Sequence, residues 1–196
     1  MDPLTRLPDA AVTIAGPYAQ TFIDMGIARF HEACRWVQQL PYGYNSDKDD
    51  PMILFKEKKG SCTTKHAVAG GLAIELGLPV TKTIGIYAMT EAIVTGTQAV
   101  LEAFGLPYVP MIHCFLTSGA VRVDLTEGNR NGKNRPVEDF LYTEDVRPAI
   151  PEKAEYLLYR RALTEVILHL PELSGVELKQ VLQAREAGIK VLKARI

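Results

Sequence analysis

Apolar residues recur at Phe22, Ile23, Ile27, Phe30, Cys34, Val37 and Leu40, the three-and-four spacing of an amphipathic helix. Pro17 suits its first turn and Pro41 its end, so one helix over 17–40 is expected, with Cys34 and Trp36 as packing residues. Residues 41–60 mix tyrosines, an acidic run and a lysine-rich run, and read as a loop whose charges form solvated faces. A second helix is expected over Ser61–Leu76, with Gly77 as its C-terminal cap. Its interior is thin. Each interior glycine costs a helix about 1 kcal/mol relative to alanine, so Gly70 and Gly71 predict close packing of a central helix against another backbone.

Val80–Ala88 reads as a strand and Thr97–Phe104, closed by Gly105, as a helix. Met111–Thr117 and Ala120–Leu125 then form a hairpin around Ser118-Gly119. A polar loop over 127–136 follows. The chain closes with two helices: Pro151–Leu170, and one opened by a capping box at Ser174 and Glu177, with Leu178, Val181, Leu182, Ile189 and Leu192 inward. Without repeats or a composition break, one domain over 1–196 is expected: a leader (1–16), an α+β core (17–150) and a C-terminal helical pair (151–196).

Composition narrows the function. The 196 residues carry 22 Lys plus Arg against 23 Asp plus Glu, so no basic field exists to hold nucleic acid or an anionic membrane. An apolar share of 47 % and a charged share of 23 % are those of a globular chain. Three widely spaced cysteines do not make a disulfide framework and favour a reducing compartment. The first residues lack the basic-then-apolar pattern of a signal peptide and the last ones carry no lipidation signal, so a cytoplasmic location is expected.

Candidate chemistry starts from the hairpin. If Thr117 faces Ala120, His113 lies directly across from Asp124, and both share a face with Phe115 and Arg122, away from an apolar face of Ile112, Cys114, Leu116, Val121, Val123 and Leu125. A carboxylate that orients an imidazole is two thirds of a nucleophilic triad. Cys62 supplies a nucleophile at the first turn of the thin helix, where unsatisfied N–H groups favour a thiolate and could also hold an oxyanion. Gln39, Tyr44 and Asn45 are candidate side-chain oxyanion donors, and the sequence does not choose among them. His66, one turn after Cys62, reads as a supporting residue; two ligands on one helix face are too few for zinc, and no metal or cofactor is expected.

These segments resemble the transglutaminase-like superfamily. Gly60-Ser61-Cys62, followed by Gly77-Leu78-Pro79, is similar to its nucleophile turn and helix; His113-Cys114-Phe115 to its His-x-Trp; Val123-Asp124-Leu125-Thr126 to its Asp-Pro-Thr. Phe115 and Leu125 depart from the usual Trp and Pro. The resemblance covers roughly residues 30–126 and implies a papain-like core, with an antiparallel sheet on a central Cys-bearing helix and a Cys62, His113, Asp124 triad. The expected activity is acyl hydrolysis or transfer at an amide of a peptide, protein or small molecule, through a thioester. A non-catalytic binding module and a redox-sensing thiol are the alternatives.

Overall fold

A computed structural model describes residues 2–13 and 16–196. The expected leader therefore includes three positions, 1, 14 and 15, that lie outside the described residues. The rest of it is built in, because the 3₁₀ turn Pro3–Arg6 buries Leu4, and Leu7 joins the same core.

The chain is α+β. Helices α1 (Pro17–Asp24), α2 (Phe30–Gln39), α3 (Ile53–Glu57) and α4 (Cys62–Glu75) precede strand β1 (Thr81–Met89) and helix α5 (Thr97–Phe104). Strands β2 (Val109–Ser118), β3 (Val121–Val123) and β4 (Tyr142–Val146) follow, and then helices α6 (Glu152–Glu165) and α7 (Leu178–Lys193). The four strands form one antiparallel sheet in the order β3-β2-β1-β4. No helix of the described residues is long and apolar enough to cross a membrane. The chain divides into two compact units: 1–84 with 114–129 and 145–152, and 85–113 with 130–144 and 153–196.

In the first unit α4 is the hub. It packs against α1, α2 and α3, and its Val68, Ala69 and Leu72 share a core with Phe22, Phe30, Cys34, Leu116 and Leu125. The expected 17–40 helix is in fact two, because Gly26 takes a left-handed φ of 75° after α1 and Glu32 reaches back to the Arg29 N–H to open α2. Trp36 packs as expected, stacked on Phe55 with centroids 5.3 Å apart. Within the expected 41–60 loop, Ile53–Glu57 forms a short helix that buries Leu54 and Phe55.

Long-range polar contacts fix these helices around α4. Glu75, the last residue of α4, accepts hydrogen bonds from the backbone N–H groups of Tyr18 (3.1 Å) and Ala19 (2.7 Å), so a carboxylate caps the start of α1. At the other end of α2, the ammonium of fully buried Lys65 donates to the carbonyls of Gln38 (3.1 Å) and Leu40 (2.6 Å) and to Asn129 Oδ1. These are orphan acceptors of a helix C-terminus, where the dipole favours a cation. The glycines of α4 admit side chains rather than another backbone: a Cβ on Gly71 would stand 2.3 Å from the Tyr18 ring, and one on Gly70 3.3 Å from Pro148 Cγ.

The second unit surrounds Tyr159, Met89, Val109, Val181 and Ala184, with α5 against α7. The Tyr159 hydroxyl donates to Pro110 O at 2.8 Å, and Arg185 lies over its ring. The capping box expected at Ser174 does not form, since Pro171–Leu173 is a 3₁₀ turn that Ser174 ends and α7 opens after Glu177. Its five expected inward residues do face the core: Val181 is fully buried, Leu178, Leu182, Ile189 and Leu192 pack against the core partly buried, and Ala184 and Gly188 are buried beside them. Strand β4 was not expected at all. Its alternation of half-buried and exposed positions, in a segment rich in acids and Thr, is what an edge strand allows.

Gly71→Ala tests the hub. The added methyl meets the Tyr18 ring, so stability in urea should fall by about 1–3 kcal/mol, although alanine gains roughly 1 kcal/mol over glycine at an open helix position. A more stable variant would mean that Tyr18 does not seat on α4.

Candidate active site

Cys62 is the first residue of α4, only 7 % exposed. The approach to it is built on Gly60, where a Cβ would come within 2.4 Å of Leu54 Cδ1 and 2.6 Å of Thr64 Oγ1. Ser61 is extended and its side chain makes no capping hydrogen bond, so its hydroxyl leaves the first-turn N–H groups of α4 to other acceptors. Cys34 and Cys114, in contrast, are fully buried in the interior; burial pushes the Cys34 thiol far up, while the Cys114 sulfur lies 3.8 Å from Thr63 Oγ1. The interior placement of Cys34 and Cys114 is the one expected from the sequence.

Segment 41–44 runs parallel to the approach. Gly60 N–H donates to Pro41 O (3.1 Å) and Gly43 N–H to Gly60 O (3.2 Å), with Tyr42 and Gly60 bridged. Tyr42 and Tyr44 therefore lie beside the residues that lead into Cys62, their rings edge to face at 6.4 Å. Asn45 is spent elsewhere. Its amide donates to Glu57 Oε2 and Lys59 O, both at 2.9 Å, and its oxygen accepts from Thr64 Oγ1 at 2.7 Å, so it braces the loop and is no oxyanion donor. Gln39 is exposed at the end of α2, and its neighbour Gln38 turns inward instead to donate to Glu127 O at 3.3 Å. Of the three candidates Tyr44 lies on the segment beside the approach, together with Tyr42, which the sequence reading passed over.

His66 is fully buried and engages both ring nitrogens. The Leu125 N–H donates to Nε2 at 2.8 Å, so Nε2 carries the lone pair. Nδ1 must then hold the proton, which it donates to Cys62 O at 2.8 Å. His66 thus has no nitrogen left to accept a thiol proton. Its role is to clamp the first turn of α4 to the segment after β3. Asp124 lies beside it, Oδ1 3.5 Å from Nε2, and is itself oriented by Thr126, whose N–H (2.8 Å) and hydroxyl (2.7 Å) both donate to Oδ1.

The hairpin register departs from expectation. Ser118 pairs with Val121 and Leu116 with Val123, so the two-residue turn is Gly119-Ala120, with Gly119 left-handed at φ 56°. The face assignments survive, but the partners shift by two. Continued, this ladder would set Phe115, not His113, across from Asp124, and β3 ends at Val123 before reaching it. His113 is 2 % exposed on β2 and meets the Tyr87 ring edge to face at 6.3 Å. Phe115 is buried as well, with the Arg122 guanidinium 5.4 Å from its ring centre. Cys62, His66 and Asp124 belong to the first compact unit; His113 is the last residue of a segment of the second.

Lys65, which the sequence reading also passed over, is a buried and strongly perturbed cation. Burial pulls its ammonium down to about 8, against a smaller opposing pull from Asp124. Its signal in the sequence was a lysine that, with His66, stands in a stretch otherwise of small and apolar residues. No group of three or more metal-ligating side chains occurs among the described residues.

The class this fold and site define is an α+β protein with a cysteine opening its buried central helix. No family model, curated protein or solved structure matches the chain.

The lowered Lys65 predicts a pH signature. Between pH 8 and about 10.5 the unfolded chain keeps a proton that the folded chain has shed, so wild-type stability should gain on Lys65→Met as pH rises. The gap in unfolding free energy should widen by on the order of 2 kcal/mol from pH 7.5 to 10. A pH-independent gap would mean that Lys65 titrates normally.

Proposed function

We propose that this chain is a thiol-dependent acyl hydrolase or transferase with a papain-like, transglutaminase-like core. The observation that carries the reading is Cys62 as the first residue of α4, the buried helix on which the first unit is built. A helix start of this kind lowers the cost of a thiolate and offers N–H groups to an oxyanion. Fixing Cys62 O through His66 holds that turn in place.

The proposed chemistry follows. The Cys62 thiolate attacks the carbonyl carbon of an amide, and His113 takes the thiol proton. A carbon–sulfur bond forms as the carbon–nitrogen bond breaks, and the amine leaves with the proton returned by His113. Water, activated by the same imidazole, then releases the acid from the thioester, or an amine captures the acyl group. Asp124 is the carboxylate assigned to orienting His113, its Oδ1 being already held by Thr126. Tyr44 is the side chain assigned to the oxyanion. No cofactor takes part. The substrate class is a peptide, protein or small amide, and no disulfide links the three cysteines, which supports a reducing, cytoplasmic setting.

Iodoacetamide labelling across pH, read by peptide mass, tests the nucleophile. Cys62 should label with an apparent pKa well below the free-thiol value of about 8.5, and His113→Ala should abolish that advantage. Turnover of a panel of peptide anilides should disappear in Cys62→Ala. Labelling as slow at Cys62 as at Cys34 and Cys114 would overturn the enzyme reading; fast labelling without turnover would leave a reactive thiol and no hydrolase of such amides.

A further inference from the structure

Asn45 reaches the chain on both sides of Cys62. Its amide nitrogen donates to Lys59 O, three residues before the thiol, and to Glu57 Oε2 at the end of α3, both at 2.9 Å. Its Oδ1 accepts from Thr64 Oγ1, two residues after the thiol, at 2.7 Å. A carbonyl and a carboxylate can only accept, so the nitrogen must face them and the oxygen must face Thr64. Glu57 is itself held by Ser46, whose N–H (3.2 Å) and hydroxyl (2.5 Å) donate to Oε1.

Thr64 carries this contact into the turn before α4. It is buried, and a Cβ on Gly60 would stand 2.6 Å from its Oγ1, so the hydroxyl lies directly against the Gly60 backbone. A hydroxyl has one proton to donate. Asn45 Oδ1 takes it at 2.7 Å, and Ser61 O, at 3.4 Å, is a marginal second acceptor. Ser61 O already accepts the first hydrogen bond of α4, from Lys65 N–H at 3.0 Å. Without the Asn45 oxygen, the Thr64 hydroxyl would turn to Ser61 O and compete with the bond that opens the helix, as threonine hydroxyls near backbone carbonyls do.

We propose that Asn45, acting through the Thr64 hydroxyl, is a positioning residue for Cys62, holding the Gly60–Cys62 turn in the geometry from which the start of α4 stabilises the thiolate. The proposal rests on the thiol reading of Cys62 and adds to it the side chains that set the nucleophile from outside α4. Asn45 and Thr64 act on the turn and take no part in the chemistry itself.

The test labels the full chain with iodoacetamide across pH in the wild type, Thr64→Val, Thr64→Ser, Asn45→Ala and the double variant of Thr64→Val with Asn45→Ala. It also follows the backbone amide resonances of Ser61 and Cys62. Thr64→Val keeps the side-chain shape and removes the hydroxyl, whereas Thr64→Ser keeps the hydroxyl. The apparent pKa of Cys62 should rise by about half a unit in Thr64→Val and in Asn45→Ala, the share that a helix start contributes to a thiolate. It should return to the wild-type value in Thr64→Ser, and the double variant should rise no further than either single one, because both act through one contact. A merely structural role would lower the melting temperature and leave that pKa in place. A wild-type pKa in Thr64→Val would overturn the proposal, and so would additive shifts in the double variant. If wild-type Cys62 titrates as an ordinary thiol, the thiol reading fails instead, and the resonances decide the positioning role: Ser61 and Cys62 should shift in Thr64→Val and return in Thr64→Ser, and unmoved resonances would overturn it.

Discussion

One imidazole ties together the parts of the first unit that matter most. His66 donates from Nδ1 to Cys62 O and accepts at Nε2 from the Leu125 N–H, so a single buried ring joins the opening turn of α4 to the chain leaving β3. A neutral imidazole has one donor and one acceptor, and here both are used. Any change in its tautomer or charge would strand a buried backbone group, at a cost of about 1–3 kcal/mol. The position of Cys62 is therefore set through its carbonyl, and the position of Asp124 through the backbone of its neighbour, Leu125.

The same pattern recurs around α4. Its last residue, Glu75, caps α1, and its Lys65 satisfies the end of α2. Side chains of one helix thus serve as the caps of two others, and the small residues between them give Tyr18 and Pro148 room to approach. These functions explain why α4 carries a buried lysine, a buried histidine and two glycines in a stretch where alanine and leucine would make a better isolated helix. Its stability comes from packing and from its polar contacts, not from propensity.

Elements bounded by local signals were legible in the sequence. Gly77 and Gly105 take left-handed conformations just past α4 and α5, and Thr97–Phe104 appears with the boundaries expected. What could not be read depended on distant partners. Apolar spacing ran continuously through Gly26, so the break between α1 and α2 needed the capping role of Glu32 to be weighed against periodicity. Choosing Ser118-Gly119 as the turn placed His113 opposite Asp124; moving the turn by one residue preserves every face yet changes every partner, which is why the faces were right and the pairing was not. Asn45 looked like an oxyanion donor because its type and position suited one, and only its three contacts to Glu57, Lys59 and Thr64 show where its capacity goes. Nothing in the sequence foretold β4, whose strand character comes from pairing at a sheet edge.

The protonation of His66 is the most direct measure of the central claim. A long-range proton–nitrogen correlation spectrum of the ¹⁵N-labelled protein reports which ring nitrogen carries hydrogen. The account predicts a neutral ring with the proton on Nδ1 and a bare Nε2 from pH 6 to pH 8. A proton on Nε2, or a doubly protonated ring within that range, would contradict it, because Leu125 N–H would then have no acceptor on the ring.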